Sequence, residues 1–365
     1  MQIATLLAHL ESVAPLAYQE NYDNAGLLTG SGSWECTGAL VTLDATEAVV
    51  QEAVLRKCNL IVAHHPIIFG GLKKITGINY VERTIISAIK QDIAIYAIHT
   101  NLDNVQGGVN GRMARQLGLV NCRPLQAKGA TLQKLFTFVP PAHLEAVRNA
   151  IFSAGAGHIG QYSECSFTTG GEGTFKGGTG THPFVGEPGL RQDEKEVRLE
   201  VILPAHLRTT VIAALIRAHP YEEVAYDLMP ISNEHPGVGA GLVGDLPERM
   251  EESEFLSRIR QAFGLQAIRH TALTGRPVKK CAVCGGAGSF LISKALAVGA
   301  DFYITADVKY HEFFDADGRL VIADIGHFES EQFTIDLLFD ILREKFPNFA
   351  VLKSDTKTNP VNFYS

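Results

Sequence analysis

Five residues carry the chemistry that is easiest to read here: His64, His65, Asp103, His327 and Glu331. His64 and His65 close the run NLIVAHHP, residues 59–66, whose apolar and β-branched residues read as a buried strand stopped by proline. Neighbouring side chains on a strand point to opposite faces, so this pair cannot easily clamp one ion. It could give one imidazole to each of two ions; on its own, polar capping of a strand end explains it equally well. Asp103 follows IAIYAIHTNL, where another apolar run ends, and in isolation it reads as a turn residue. His327 and Glu331 lie four apart in GHFESE, a spacing that puts both side chains on one helix face. An isolated pair of this kind is also common at exposed helix ends.

The five together argue more than any one. Three imidazoles and two carboxylates exceed the three protein ligands of a catalytic zinc. They fit two divalent ions sharing a bridging carboxylate and a water, at the ~3.5–4 Å separation of two-metal hydrolytic sites. Nitrogen and oxygen donors without thiolate suit zinc, iron, manganese, cobalt or nickel and do not choose among them.

Weaker candidates surround this set. His99, four before Asp103, could carry a proton or orient a ligand, though a buried structural histidine accounts for it as well. Lys309 and His311 could meet an anionic substrate, against the plainer reading of a solvated face. Asp44 and Asp307 also stand near strand ends. Cys281 and Cys284, three apart on a strand, project to opposite faces and read as buried apolar cysteines. GGAGS, residues 285–289, could offer backbone amides to a phosphate but lacks the Gly-Lys-Ser/Thr of a P-loop.

Positioning these residues takes an α/β scaffold. Strands at 38–46, 59–66 and 93–103 alternate with helices at 47–57 and 81–91. The grammar returns late, with strands at 278–286, 300–307 and 319–327 and helices at 289–299, 309–316 and 330–346. This pattern predicts two related α/β halves of one core, with parallel strands covered on both faces. His64, His65 and Asp103 then lie at the carboxyl ends of strands, where open parallel sheets bind ligands. Between the halves the texture changes to strand, helix, a glycine-rich stretch at 168–189, strand, helix, strand. That order predicts a ferredoxin-like α+β domain at 126–231 inserted into a discontinuous core of 1–125 and 232–365. The glycine-rich stretch reads as a flexible loop, with ligand sensing as its functional alternative.

The bulk properties set limits. At 365 residues the chain is expected to hold two domains, and a net charge of -7 argues against a dedicated nucleic-acid surface. Six cysteines in so long a chain are not a disulfide framework. The first residues, MQIATLLAHLESVAP, read as a short amphipathic helix rather than a leader, and no run of ~18 apolar residues occurs. A cytoplasmic protein without membrane spans is the expectation.

At these residues the sequence resembles the YbgI-type, or NIF-three-like, proteins, also labelled GTP cyclohydrolase 1 type 2 homologues. The likeness rests on NYDNAGLLTG, IVAHHPIIF, AIHTNLDNVQGGVN, GADFYITADVKYHEFFDA and IGHFESE, spread over both ends of the chain. Tyr22 departs from the tryptophan of many relatives and leaves the metal residues untouched. The resemblance implies a dinuclear site at the same five residues, a ring-shaped homohexamer, and an insert similar to the PII and CutA proteins. It implies a nucleotide or related heterocycle as substrate, with guanosine triphosphate ring opening as one candidate. The functional expectation is thus a metal-dependent hydrolase acting on a small molecule. The alternative is a non-enzymatic regulatory or metal-handling ring whose insert senses a ligand.

Overall fold

The computed structural model describes residues 1–364, a mixed α/β chain with several sheets. Contacts divide it into two compact units, Met1–Ala127 with the chain from Gly237 onward, and Lys128–Pro236.

The first stretch of the larger unit runs α1 (Ile3–Val13), β1 (Gly26–Thr29), β2 (Ala39–Asp44), α2 (Glu47–Leu55), β3 (Leu60–His65), α3 (Tyr80–Lys90), β4 (Ala94–Ala97), α4 (Thr100–Asp103), α5 (Val109–Leu117) and β5 (Val120–Ala127). Almost every side chain of β2, β3 and β4 is buried, as strands covered by helices on both faces require. Helices α2 and α3 begin on side-chain caps: Thr46 Oγ1 accepts from the Val49 amide, and Asn79 Oδ1 from the Glu82 amide.

The smaller unit holds β6 (Leu132–Val139), α6 (Leu144–Ser153), β7 (Ser166–Lys176), β8 (Arg191–Pro204), α7 (Arg208–Ala218) and β9 (Tyr226–Pro230). Its strands form one antiparallel sheet in the order β7-β8-β6-β9, closed by a core that includes Leu135, Val147, Ile151, Leu199 and Leu215. The loop expected over 168–189 is corrected in its first part. Thr168 to Lys176 pair residue by residue with Leu199 to Arg191, because the hairpin backbone forms its ladder even where glycine supplies no side chain.

The chain then returns through β10 (Gly239–Met250), α8 (Glu252–Phe263), β11 (Arg269–His270), β12 (Val278–Ala287), α9 (Ile292–Ala297), β13 (Phe302–Ala306), β14 (Val321–Asp324), α10 (His327–Glu331), α11 (Thr334–Lys345) and β15 (Val351–Lys353). The helix expected at 309–316 is a 3-10 turn over Tyr310–Ala316. Two sheets result, β1-β4-β3-β2-β15 and β11-β14-β13-β12-β10-β5. Each contains three parallel strands in sequential order, β2-β3-β4 and β12-β13-β14. Each adds an antiparallel edge strand beside the third, β1 on β4 and β11 on β14. In both cases that edge strand precedes the parallel three in the chain, so the two halves share connectivity as well as pattern.

Candidate metal centre

All five residues converge at the carboxyl ends of these strands. His64 and His65 end β3, Asp103 ends α4 just after β4, and His327 and Glu331 open and close α10 just after β14. Strand geometry sends the two adjacent histidines different ways. His64 is fully buried and its Nδ1 donates to the Ile98 carbonyl at 2.8 Å, whereas His65 Nδ1 donates to Asp44 Oδ1 at 2.8 Å. Their rings, 4.9 Å apart, then address different oxygens of one carboxylate. His65 Nε2 lies 2.9 Å from Glu331 Oε2, and His64 Nε2 3.9 Å from Glu331 Oε1. His327 Nε2 is 3.2 Å from Glu331 Oε2 and 3.3 Å from His65 Nε2.

A second ring of carboxylates sets the tautomers. Asp307 Oδ2 accepts from His327 Nδ1 at 2.6 Å, and Asp23 Oδ1 from His99 Nδ1 at 2.7 Å. With Asp44 on His65, three of the four imidazoles are held through Nδ1 by an acid and aim Nε2 inward, the arrangement of histidines in metal sites. Asp307 holds its place at φ 56, a backbone conformation that non-glycine residues pay to adopt and that concentrates at functional sites. Asp23 also accepts from the Thr100 hydroxyl and amide. Its role was not legible from residue type: the turn-rich NYDNAG signals a loop, and only the tertiary contact with His99 reveals an acceptor.

Charge and burial make the set unstable to being left alone. Burial keeps His64 neutral, its pKa lowered, and so leaves Nε2 a bare lone pair. Burial and the neighbouring Glu331 charge raise the Asp103 carboxyl well above its ordinary range. Glu331 goes the other way: burial opposes its ionisation, but hydrogen bonds from His327 and His65 hold it well below the usual carboxylate range. Burial likewise opposes protonation of His65, yet Asp44 and Glu331 lift it to about 10; Glu331 and Asp307 lift His327 to about 9.

The donor set fits a cation. His64 Nε2 and Asp103 Oδ1 are both buried without a hydrogen-bond partner and stand 3.7 Å apart. Unsatisfied buried polar atoms are costly, and two facing each other call for a shared partner. At the neighbouring position, two nitrogens each ~2.1 Å from a tetrahedral zinc stand roughly 3.4 Å apart, close to the 3.3 Å between His65 and His327. The groups His65, His327 and Glu331, and His64, His65 and His99, each bring ligand atoms close enough to hold a metal ion.

Backbone packing leaves room for this. Gly286 of β12 sits at φ +61, and a Cβ there would fall 3.1 Å from His327 Cε1 and press on Glu331 Oε1. The Gly285 amide donates to Asn110 Oδ1 and the Gly286 amide to Ser330 Oγ. Those two donors are spent inside the protein and are not open to a phosphate. Cys281 and Cys284 are buried and free.

A cavity of ≈ 1020 Å³ opens on the centre, lined by His65, His99, Asp103, His327 and Glu331. Arg269 is its cationic wall residue; Lys309 and His311 are not in the lining. Lys309 instead gives its amide to Glu312 at the start of the 3-10 turn, and His311 packs among Tyr310 and Phe314.

The family model for Duf34/NIF3 (NGG1p interacting factor 3) matches residues 1–360. The chain belongs to the Duf34/NIF3 family. It is 40% identical over 365 residues to a Halalkalibacterium halodurans protein named GTP cyclohydrolase 1 type 2 homolog, with 98% of each chain covered. A Bacillus subtilis protein of the same name is 38% identical over 358 residues, covering 97% of this chain and 96% of that one. Among solved Duf34/NIF3 structures, the Bacillus cereus protein related to NIF3 superposes with a TM-score of 0.86 at 38% identity, covering 100% of this chain and 99% of that one. The resemblance carried by the His-His-Pro, His-Thr-Asn-Leu-Asp and Gly-His-x-x-x-Glu elements therefore holds at the level of the family. No helix of the described residues is long and apolar enough to cross a membrane.

Proposed function

We propose that this protein is a dinuclear divalent-metal hydrolase acting on a nucleotide or related heterocycle. His64, Asp103 and Glu331 would hold one ion, and His65 and His327 with Glu331 the other. The observation that carries the reading is the pair of buried, partnerless ligand atoms on His64 and Asp103. A cation satisfies both, while the two oxygens of Glu331 divide the adjacent histidines between two positions.

When bound, such a pair of ions brings the pKa of water near neutrality and polarises the electrophile. The chain's own residues do the rest. Asp44 and Asp307 fix the ring orientations of His65 and His327. His99, held through Nδ1 by Asp23, keeps Nε2 free to take or return a proton at the edge of the cavity. The donor set admits zinc, iron, manganese, cobalt or nickel.

The substrate class follows from the cavity mouth, where Tyr22, Phe69 and Phe290 are exposed rings suited to a planar base, and from the name carried by the relatives. We read the smaller unit as the ferredoxin-like, PII/CutA-like insert expected over 126–231, a reading its β7-β8-β6-β9 order supports. A homohexameric ring in the cytoplasm completes the proposal. Purification without added metal followed by elemental analysis is expected to give about two equivalents per chain, the number two-metal sites hold. Metal-loaded protein is then assayed against a nucleotide panel. Turnover that survives both His64→Ala and His327→Ala refutes the reading.

A further inference from the structure

Residues 354–363 are not a loose end. Glu52 of α2 gathers the chain as it leaves β15: its carboxylate accepts from Ser354 Oγ at 2.6 Å, the Asp355 amide at 2.9 Å, and Thr356 Oγ1 at 2.7 Å. Arg56 ties down the same segment through the Lys353 carbonyl at 2.8 Å and Asp355 at 3.3 Å. Burial opposes ionisation of Glu52, but these donors hold its carboxyl down at about 2, so the anchor stays charged.

Beyond the anchor the tail reaches the metal centre. Thr358 Oγ1 donates to Asp44 Oδ2 at 2.7 Å, and the other oxygen of that carboxylate accepts from His65 Nδ1. Asn359 Nδ2 donates to Glu329 Oε1 at 3.0 Å, on the α10 helix that carries His327 and Glu331. Two hydrogen bonds thus join the tail to residues that orient or neighbour three of the candidate ligands. Past Asn359 the character changes. Pro360, Val361 and Phe363 line the cavity, yet Val361 is 58% and Phe363 50% exposed. A large apolar ring half in water at a cavity wall, on a segment with few internal hydrogen bonds, is a contact surface still awaiting its partner.

We infer that residues 358–363 form the substrate-recognition wall of this cavity. In this arrangement Phe363 stacks on the planar ring of a heterocyclic ligand, and Thr358 couples the seated tail to His65 through Asp44. The inference rests on the proposed action on a nucleotide or related heterocycle, and it assigns recognition to residues outside the metal set.

The test uses the zinc-loaded full chain, its metal content checked by elemental analysis, with guanosine triphosphate and guanosine titrated by calorimetry. Phe363→Ala, and a chain ending at Asn359, are expected to weaken binding of both probes about tenfold, the scale of one lost base–aromatic stack. Phe363→Trp is expected to restore it. Thr358→Val is expected to weaken zinc about tenfold against a chelator, as loss of support behind a metal-ligating histidine does. Wild-type binding that Phe363→Ala leaves unchanged overturns the wall while sparing the heterocycle reading. Tighter binding by the shortened chain overturns it too, since the tail is then a plug. A wild-type chain that holds zinc but neither probe overturns both readings. Zinc affinity unchanged in Thr358→Val overturns the coupling to His65.

Discussion

Loading zinc into the metal-free protein at neutral pH is expected to expel at least two protons, one each from His65 and His327, with the raised Asp103 carboxyl a further source. His65 is lifted to about 10 and His327 to about 9, so near pH 7 both imidazoles are doubly protonated in the empty centre. Each Nε2 must shed its proton before it can donate a lone pair, while Glu331 is already ionised and His64 already neutral. The two histidine protons alone make the affinity rise about a hundredfold per pH unit, roughly 2.7 kcal/mol, until pH passes the two histidine values. The assay is calorimetric titration of zinc against a competing chelator, at several pH values and in buffers of differing ionisation enthalpy. Proton release near zero, or affinity that does not change between about pH 7 and 8.5, refutes the argument that Glu331 and its outer carboxylates hold the empty centre protonated. The same shifts set the stability of the metal-free chain. Both histidines have folded values above the roughly 6.5 of an unfolded histidine, so their contribution is fully present below that pH. It is lost as pH rises through about 9 and then about 10. Alkali is thus expected to lower the melting temperature of the empty protein, and zinc to abolish that loss.

Other consequences are as direct. Gly286→Ala drives a methyl group against His327 and Glu331 and forces φ +61 on a side chain that resists it; metal content by elemental analysis is expected to fall while circular dichroism stays native. Asp307→Ala frees the His327 ring from its 2.6 Å acceptor, and zinc affinity is expected to drop about 10- to 100-fold, read by chelator competition. Phe255, fully buried and edge-on to Phe302 at 5.0 Å, lies far from the chemistry in sequence and role. Phe255→Ala is expected to cost about 3–5 kcal/mol in denaturant unfolding, with metal stoichiometry unchanged under folding conditions.

Much of the larger unit was legible because its signals are local. The buried strands β2, β3 and β4 are unbroken apolar runs, and the helices between them carry a 3.6-residue period and side-chain caps. The strands that escaped notice, such as β10, hold glycine and proline, which blur the period. The insert's β7 escaped because both of its faces are largely open, so no apolar alternation marks it.

The candidate metal residues divide along the same line. Residue type, placement at strand ends and the family resemblance together marked His64, His65, Asp103, His327 and Glu331 as candidates. What no linear pattern contained was the division of labour. Which oxygen of Glu331 meets which histidine, which acid fixes each imidazole, and that the tail returns from Glu52 to touch Asp44 all depend on tertiary contacts, between residues from 20 to 314 positions apart. Such contacts exist only once two separately wound sheets have set their carboxyl edges around one cavity. Sequence therefore marked the candidate donors, and packing decided their geometry.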